Sequence, residues 1–216
     1  MKSGNTILAL SLIMMVSFAV GLYAYQQMPD RVASHWNAQG KVDGYMPKFW
    51  GVFLMPVIMA LVSTLFLLIP RIDPLKANID KFRGYYQGFI LIVAAFLLYI
   101  YLLTVFWNFG HRFNMTLALV PALGLLYYCV GIVMGHAQRN WFIGIRTPWT
   151  LSSDVVWRQT HEKGAKLFKA SGLVAVLGAF FQDYAIVLAV GPVIISSFYL
   201  MAYSYFSYQK EAKRGP

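Results

Sequence analysis

The sequence predicts an all-α integral membrane protein with six transmembrane helices and both termini in the cytoplasm. Three observations carry that prediction. Only 12% of the 216 residues are charged, against roughly 25% in an ordinary soluble domain. Those charges gather in short islands between apolar runs of about 20 residues, the length of helix that crosses a hydrocarbon core of about 30 Å. The Lys and Arg residues fall mostly in alternate islands, as the positive-inside rule requires.

The spans follow in order. Thr6–Tyr25 is the first; its apolar core is longer than the 7–15 residues of a signal-peptide core, so it reads as an uncleaved helix. Trp50–Ile69, Tyr85–Phe106 and Thr116–Gly135 are the second to fourth. Leu167–Phe181 is the fifth and weakest, short enough that Lys166 and Lys169 must reach for the interface. Tyr184–Phe206 closes the set. Pro56, Pro121 and Pro192 each fall inside a span running towards the cytoplasm and remove one backbone bond there. Gly84 with Gly88, Gly131 with Gly135, and Ser171 with Ala175 and Ala179 form small-residue ridges of the kind that lets helices approach closely in lipid.

Placing the amino terminus inside puts fourteen of the eighteen basic residues on the cytoplasmic side. Only Arg31, Lys41, Lys48 and Arg112 remain outside. The net charge of +10 is then this cytoplasmic excess and not a nucleic-acid patch. The single cysteine, Cys129, allows no internal disulfide. The chain divides into residues 1–84, two spans with an outer His-Trp-Asn loop, and residues 85–216, four spans with an inner Gly-Ile-Arg-Thr-Pro-Trp loop.

Five spans hold no Asp, Glu, Lys, Arg or His, and the fifth holds only Lys169. Ion-coupled carriers place ionisable groups within the membrane, so function is sought in the two polar segments. The outer one, "QQMPDRVASHWNAQGKVDGYMPKF", reads as turns at Asn37–Gly40 and Val42–Gly44. Its His35, Trp36, Asn37, Asp43 and Tyr45 are candidates for holding an apolar or amphipathic ligand beside the bilayer. Their spacing fits no metal pattern, and no metal or cofactor is expected. The inner segment, "RNWFIGIRTPWTLSSDVVWRQTHEKGAKLF", breaks at Thr147-Pro148. It then reads as an amphipathic helix capped by Ser152, paired through Asp154 and Arg158, lying on the inner surface and turning at Gly164. Ser152, Ser153, Asp154 and His161 are residue types of nucleophilic chemistry, but no nucleophile elbow or zinc motif accompanies them. The chain is read as a non-enzyme.

These same segments resemble the SdpI immunity-protein family. "MPDRVASHWNAQGKVDGYMPK" is similar to its N-terminal signature, and "PRIDPLKANIDKF" to its second-loop pattern of Pro-x-Ile-Asp-Pro. The inner stretch, with Gly-Ile-Arg-Thr-Pro-Trp-Thr-Leu, is similar to the C-terminal signature. The resemblance covers nearly the whole chain. It implies a multi-pass protein of the bacterial cell membrane that protects against a secreted, membrane-active peptide toxin and holds a cytoplasmic autorepressor protein at the membrane. The expected partners are the lipid bilayer, the toxin outside and the repressor inside. Asn140, Arg146, Pro148, Trp149, Trp157, Arg158 and His161 are the expected repressor-facing residues. A transporter or flippase of an amphiphile is the competing reading, and a membrane enzyme a more distant one.

Overall fold

A computed structural model describes residues 3–213. Lys2 and Arg214, both counted in the charge bias, lie outside the described residues. Helix α1 (Ser3–Gln27) leads into strands β1 (Arg31–Trp36) and β2 (Val42–Pro47). Helices α2 (Lys48–Ile72), α3 (Lys76–Lys81) and α4 (Arg83–Asn108) follow, then α5 (Met115–Met134). A long loop carries the short α6 (Pro148–Ser152), and α7 (Asp154–Gly178) runs through one turn of 3-10 helix, Gln182–Tyr184, into α8 (Ala185–Ala212).

Among the described residues, five helical segments are long and apolar enough to cross a membrane: α1, α2, α4, α5 and the stretch ending in α8. Their outward surfaces carry large apolar side chains such as Leu8, Met15, Leu61, Leu125 and Phe198. Such a surface is stable only against lipid or another apolar surface. The chain is a membrane protein. Pro56, Pro121 and Pro192 lie inside α2, α5 and α8.

The fifth predicted span is different. It is the second half of α7, which continues for 25 residues without a bend at Gly164. Gly164 is buried, and a Cβ there would sit 2.7 Å from Met134 Cε and 2.9 Å from Ile145 Cδ1. Its small size serves close packing, and the expected turn at Gly164 is absent. The amphipathic segment and the span are one rod.

That rod meets α5 through bare backbone. A Cβ on Gly172 would lie 2.5 Å from Gly124 O, and one on Gly124 would lie 2.6 Å from Gly172 O. A Cβ on Gly131 would lie 2.8 Å from Ala165 O. Dispersion contacts and close approach drive helix association in lipid, so these glycines fix the α5–α7 crossing. Ser171 and Ala175 pack on the other side, against Ser196 and the Ala185–Ala189 cluster. Gly84 and Gly88 meet nothing within 4 Å. Their ridge is without a partner among the described residues.

The remaining helices make a second group. Leu10, Ile69, Tyr86, Ile90 and Ala94 pack at one end of α1, α2 and α4, and Ala24, Val52, Met59, Tyr101 and Val105 pack towards the other.

The outer segment is not all turn. β1 and β2 form an antiparallel hairpin, with Val42–Gly44 in β2 and only Asn37–Gly40 as the turn. The all-α expectation therefore misses a two-stranded sheet. Asn37 shapes its turn: Asn37 Oδ1 accepts from Gln39 N and Lys41 N, both at 3.0 Å. Gly40 has φ +74°, and a Cβ there would strike Asn114 Oδ1 at 2.2 Å. Glycine suits that left-handed conformation, and no side chain fits the space.

Candidate functional site: a groove under the hairpin and a clamped loop at the far end

Two polar surfaces lie at opposite ends of the bundle. At one end the hairpin is tied down by backbone bonds. Asn108 of α4 accepts from Ala33 N at 2.8 Å and donates to Ala33 O at 2.9 Å. Thr116 of α5 donates to Asn37 O at 3.3 Å. Held this way, the hairpin roofs a groove of about 570 Å³ between α2, α4 and α5. Trp36, Met46, Trp50, Met55, Leu103 and Leu119 supply most of its apolar wall.

His35, Trp36 and Asn37 all line this groove. Trp36 stacks edge-on against Trp107 at 5.5 Å. Its Nε1 is buried and has no hydrogen-bond partner among the described residues. A buried indole N–H left unpaired costs roughly 1–3 kcal/mol, and a carbonyl oxygen entering the groove would remove that cost. Asp43 and Tyr45 face away from it as exposed residues. Asp43 Oδ1 instead lies 2.5 Å from His35 Nδ1 across the hairpin, on its solvent side. Met46, Met55 and Thr104 were not singled out from sequence. Their apolar neighbours gave no reason to separate a groove wall from a lipid-facing surface.

At the other end the loop between α5 and α7 is a dense hydrogen-bonded clamp. Asn140, fully buried, accepts from Phe142 N at 2.9 Å and Ile143 N at 2.6 Å. It also donates to Gln138 O and Ile143 O, both at 2.9 Å. Trp157 Nε1 donates to Ala137 O at 2.8 Å. His161 Nδ1 lies 2.8 Å from Trp157 O, and Ile145 N donates to His161 Nε2 at 3.0 Å. That pattern fixes a neutral ring with its proton on Nδ1. Burial therefore lowers the His161 pKa from 6.5 to about 4, against a smaller upward pull from the Trp157 carbonyl. Trp157 stacks on the ring at 3.9 Å.

Gly144 explains the Gly-Ile-Arg-Thr-Pro run. Its φ is +112°, and a Cβ there would sit 2.3 Å from His161 Nε2. Thr147 then adopts φ −88° and ψ 161°, as a residue before proline prefers. Thr147 and Thr150 form a capping box for α6. Thr150 Oγ1 also donates to Ile145 O at 2.7 Å, and Thr147 Oγ1 lies 3.0 Å from Ser204 Oγ on α8.

Two local expectations are corrected here. Ser153, not Ser152, caps α7 by accepting from Val156 N at 3.2 Å; the Ser152 hydroxyl donates to Pro148 O. Asp154 pairs with Arg139, Nε 2.7 Å from Oδ1, in place of Arg158. Long-range geometry outcompetes a weak i, i+4 attraction of about 0.5 kcal/mol.

The seven expected partner-facing residues therefore split. Asn140, Trp157 and His161 are buried and hold the loop's shape. Arg146, Pro148 and Arg158 are exposed and Trp149 is half-buried. Trp149 stacks edge-on with Tyr205 at 5.1 Å, and Arg146 Nη1 donates to Trp141 O at 2.7 Å. Trp141, exposed to 50%, joins that surface and was not anticipated as a site residue. Nor was Asp73, which is buried and accepts from Leu75 N at 2.6 Å and Trp141 N at 2.9 Å. The Pro-x-Ile-Asp-Pro pattern was the available signal. Both His161 nitrogens meet backbone atoms and Ser153 Oγ accepts from Val156 N, so no hydrogen bond joins Ser153 to His161.

Comparison with known proteins fits this layout. Residues 136–204, the clamp with α7 and most of α8, match the SdpI/YfhL protein family. Residues 12–60, covering the later part of α1, the hairpin and the first half of α2, match a domain of unknown function (DUF1648). The chain is 26% identical over 200 residues to the Immunity protein SdpI of Bacillus subtilis (strain 168), covering 92% of this chain and 94% of that protein. No solved structure matches.

Proposed function

We propose that this chain, a member of the SdpI/YfhL protein family, is a toxin-immunity protein of the bacterial cell membrane. In this reading the groove under the hairpin faces outward and takes an apolar segment of a membrane-active peptide toxin. The observation that carries it is the unpaired Trp36 Nε1 at an apolar groove opening at the bundle's end. A peptide supplies both an apolar side chain and a carbonyl acceptor. Toxin bound there is kept from the lipid it would damage. His35 lines the groove and is held by Asp43 from the hairpin's solvent side.

The clamped loop then faces the cytoplasm and presents Arg146, Pro148, Trp149 and Arg158 to a transcriptional repressor. Asn140, Trp157 and His161 act there through the loop's shape. The hairpin touches α2, α4 and α5, and α5 touches α7 through the glycine seam, so a toxin that favours one packing of α5 alters the clamp. Such a shift requires unequal affinity for the two packings. The lysine and arginine bias supports this orientation, with both termini inside.

The test is protection of a toxin-sensitive bacterium expressing the chain. Trp36→Ala is expected to abolish protection at unchanged membrane abundance, and Asp43→Ala to weaken it. Full protection by Trp36→Ala would remove the groove from the account. Flux of an amphiphile in purified vesicles would favour the transporter reading instead.

A further inference from the structure

A second cavity, of about 510 Å³, opens at the clamp end of the bundle between α1, α2 and α4. Its walls are mixed: Ile7, Phe66, Leu67 and Ile90 supply apolar surface, and Thr6 and Thr64 supply hydroxyls. Its mouth carries two guanidinium groups, Arg71 and Arg83, both exposed. Arg83 is hydrogen-bonded to Asp80, one helical turn away, whereas Arg71 has no ion-pair partner among the described residues. The other nearby carboxylate, Asp73, is committed to the amides of Leu75 and Trp141.

Gln87 lies in the wall and is only 5% exposed. One end of its amide donates to Ser3 Oγ at 3.1 Å. The other end, Oε1, is buried and has no partner among the described residues. A polar amide so placed costs free energy unless something pairs with it. The Tyr86 hydroxyl does not, because it donates to Phe66 O.

A pocket with an apolar strip along Ile7, Phe66 and Leu67, a cation without an ion-pair partner at its mouth and an unpaired amide in its wall matches an amphiphile with an anionic head bearing hydroxyl groups. Basic pockets between membrane helices bind anionic lipid heads in this way. We propose that this cavity is a binding site for an anionic glycerophospholipid with a hydroxyl-bearing headgroup, in the leaflet at the clamp end. The lipid phosphate meets Arg71, an acyl chain lies along Ile7, Phe66 and Leu67, and a headgroup hydroxyl donates to Gln87 Oε1. Because Ile79 of α3 also lines the cavity and Asn78 of α3 donates to Arg139 O at 2.9 Å, the bound lipid sits one residue from the clamp it supports.

The experiment is native mass spectrometry of the full chain in mild detergent, titrated with phosphatidylglycerol or with phosphatidylcholine of the same acyl chains. Phosphatidylglycerol is expected to be retained about tenfold more, because phosphatidylcholine shares the phosphate but has no headgroup hydroxyl for Gln87 Oε1 and brings a quaternary ammonium towards Arg71, a difference of about one hydrogen bond. Arg71→Gln and Gln87→Met are each expected to lower that retention several-fold, while Lys210→Gln, on α8, leaves it unchanged. Arg71 is exposed, so its substitution reads binding without disturbing the core. Equal retention of the two lipids would overturn the site. So would an equal loss in Lys210→Gln, which would mark diffuse surface charge. Displacement by free glycerol phosphate at millimolar concentration would overturn the lipid assignment in favour of a soluble phosphate.

Discussion

Replacing His161 with alanine is predicted to unfasten the clamp. The imidazole is 2% exposed and meets the backbone at both nitrogens. Its loss leaves the Ile145 N–H without its acceptor, at a cost of about 1–3 kcal/mol. It also removes the stack on Trp157, worth about 0.5–1.5 kcal/mol. A total of about 1.5–4.5 kcal/mol is expected. The wild-type clamp must also depend on pH. The unfolded ring takes a proton near pH 6.5, while the folded ring resists until about pH 4. The unfolded state thus binds more protons between those values, and stability falls as pH drops through that window. It is fully present above pH 6.5. At about 1.4 kcal/mol per unit, the full loss is about 3 kcal/mol. The assay is proteolysis of the loop spanning residues 137–153 in detergent-solubilised protein, run from pH 7.5 to pH 4.5. Wild type is expected to become steadily easier to cut below pH 6.5. His161→Ala is expected to be cut readily at every pH, with the dependence flattened. A His161→Ala protein as resistant as wild type, or one with the same pH profile, would refute the clamp.

Other outcomes follow from the same geometry. Gly144→Ala forces a side chain into a left-handed backbone and against His161 Nε2; a loss of at least about 1–2 kcal/mol is expected from the backbone alone, read as a lower melting temperature. Gly172→Val is expected to push α7 off α5 and lower the melting temperature more than Gly88→Val, because Gly88 meets nothing within 4 Å. Asp73→Ala removes two buried amide contacts and is expected to cost about 3–6 kcal/mol, at the scale for hydrogen bonds to charged groups; faster cleavage near Trp141 checks it. On the proposed repressor-binding role of the clamp, Arg146→Ala is expected to keep melting temperature and toxin protection near wild type while lowering the amount of repressor in the membrane fraction, measured by co-sedimentation.

The helices were largely legible because apolar runs of membrane length leave few alternatives. The hairpin was not. β1 buries Val32 and Ala33 in succession and its register shifts between Ala33 and Trp36, and both break the two-residue alternation that marks a strand. The inner segment was legible as a patterned unit but misread as a surface. Trp157, His161 and Ala165 share one face of α7, and that face packs inward. The partners of His161 are backbone atoms, and one is brought there by a positive φ at Gly144. Side-chain spacing carries no trace of such a contact. The straight α7 escaped for a related reason. A glycine inside a helical pattern reads as a hinge until its neighbours, Met134 and Ile145 here, are known.

The central claim is that the hairpin groove and the clamp face opposite compartments, so a ligand on one side is felt on the other. Thiol labelling tests it most directly. In a Cys129→Ser background, Tyr45→Cys and Arg158→Cys place single thiols at exposed positions of the two surfaces. A membrane-impermeant maleimide applied to intact cells is predicted to modify the thiol at position 45 and to reach position 158 only after permeabilisation. Modification of both positions in intact cells, or of neither, would contradict the account.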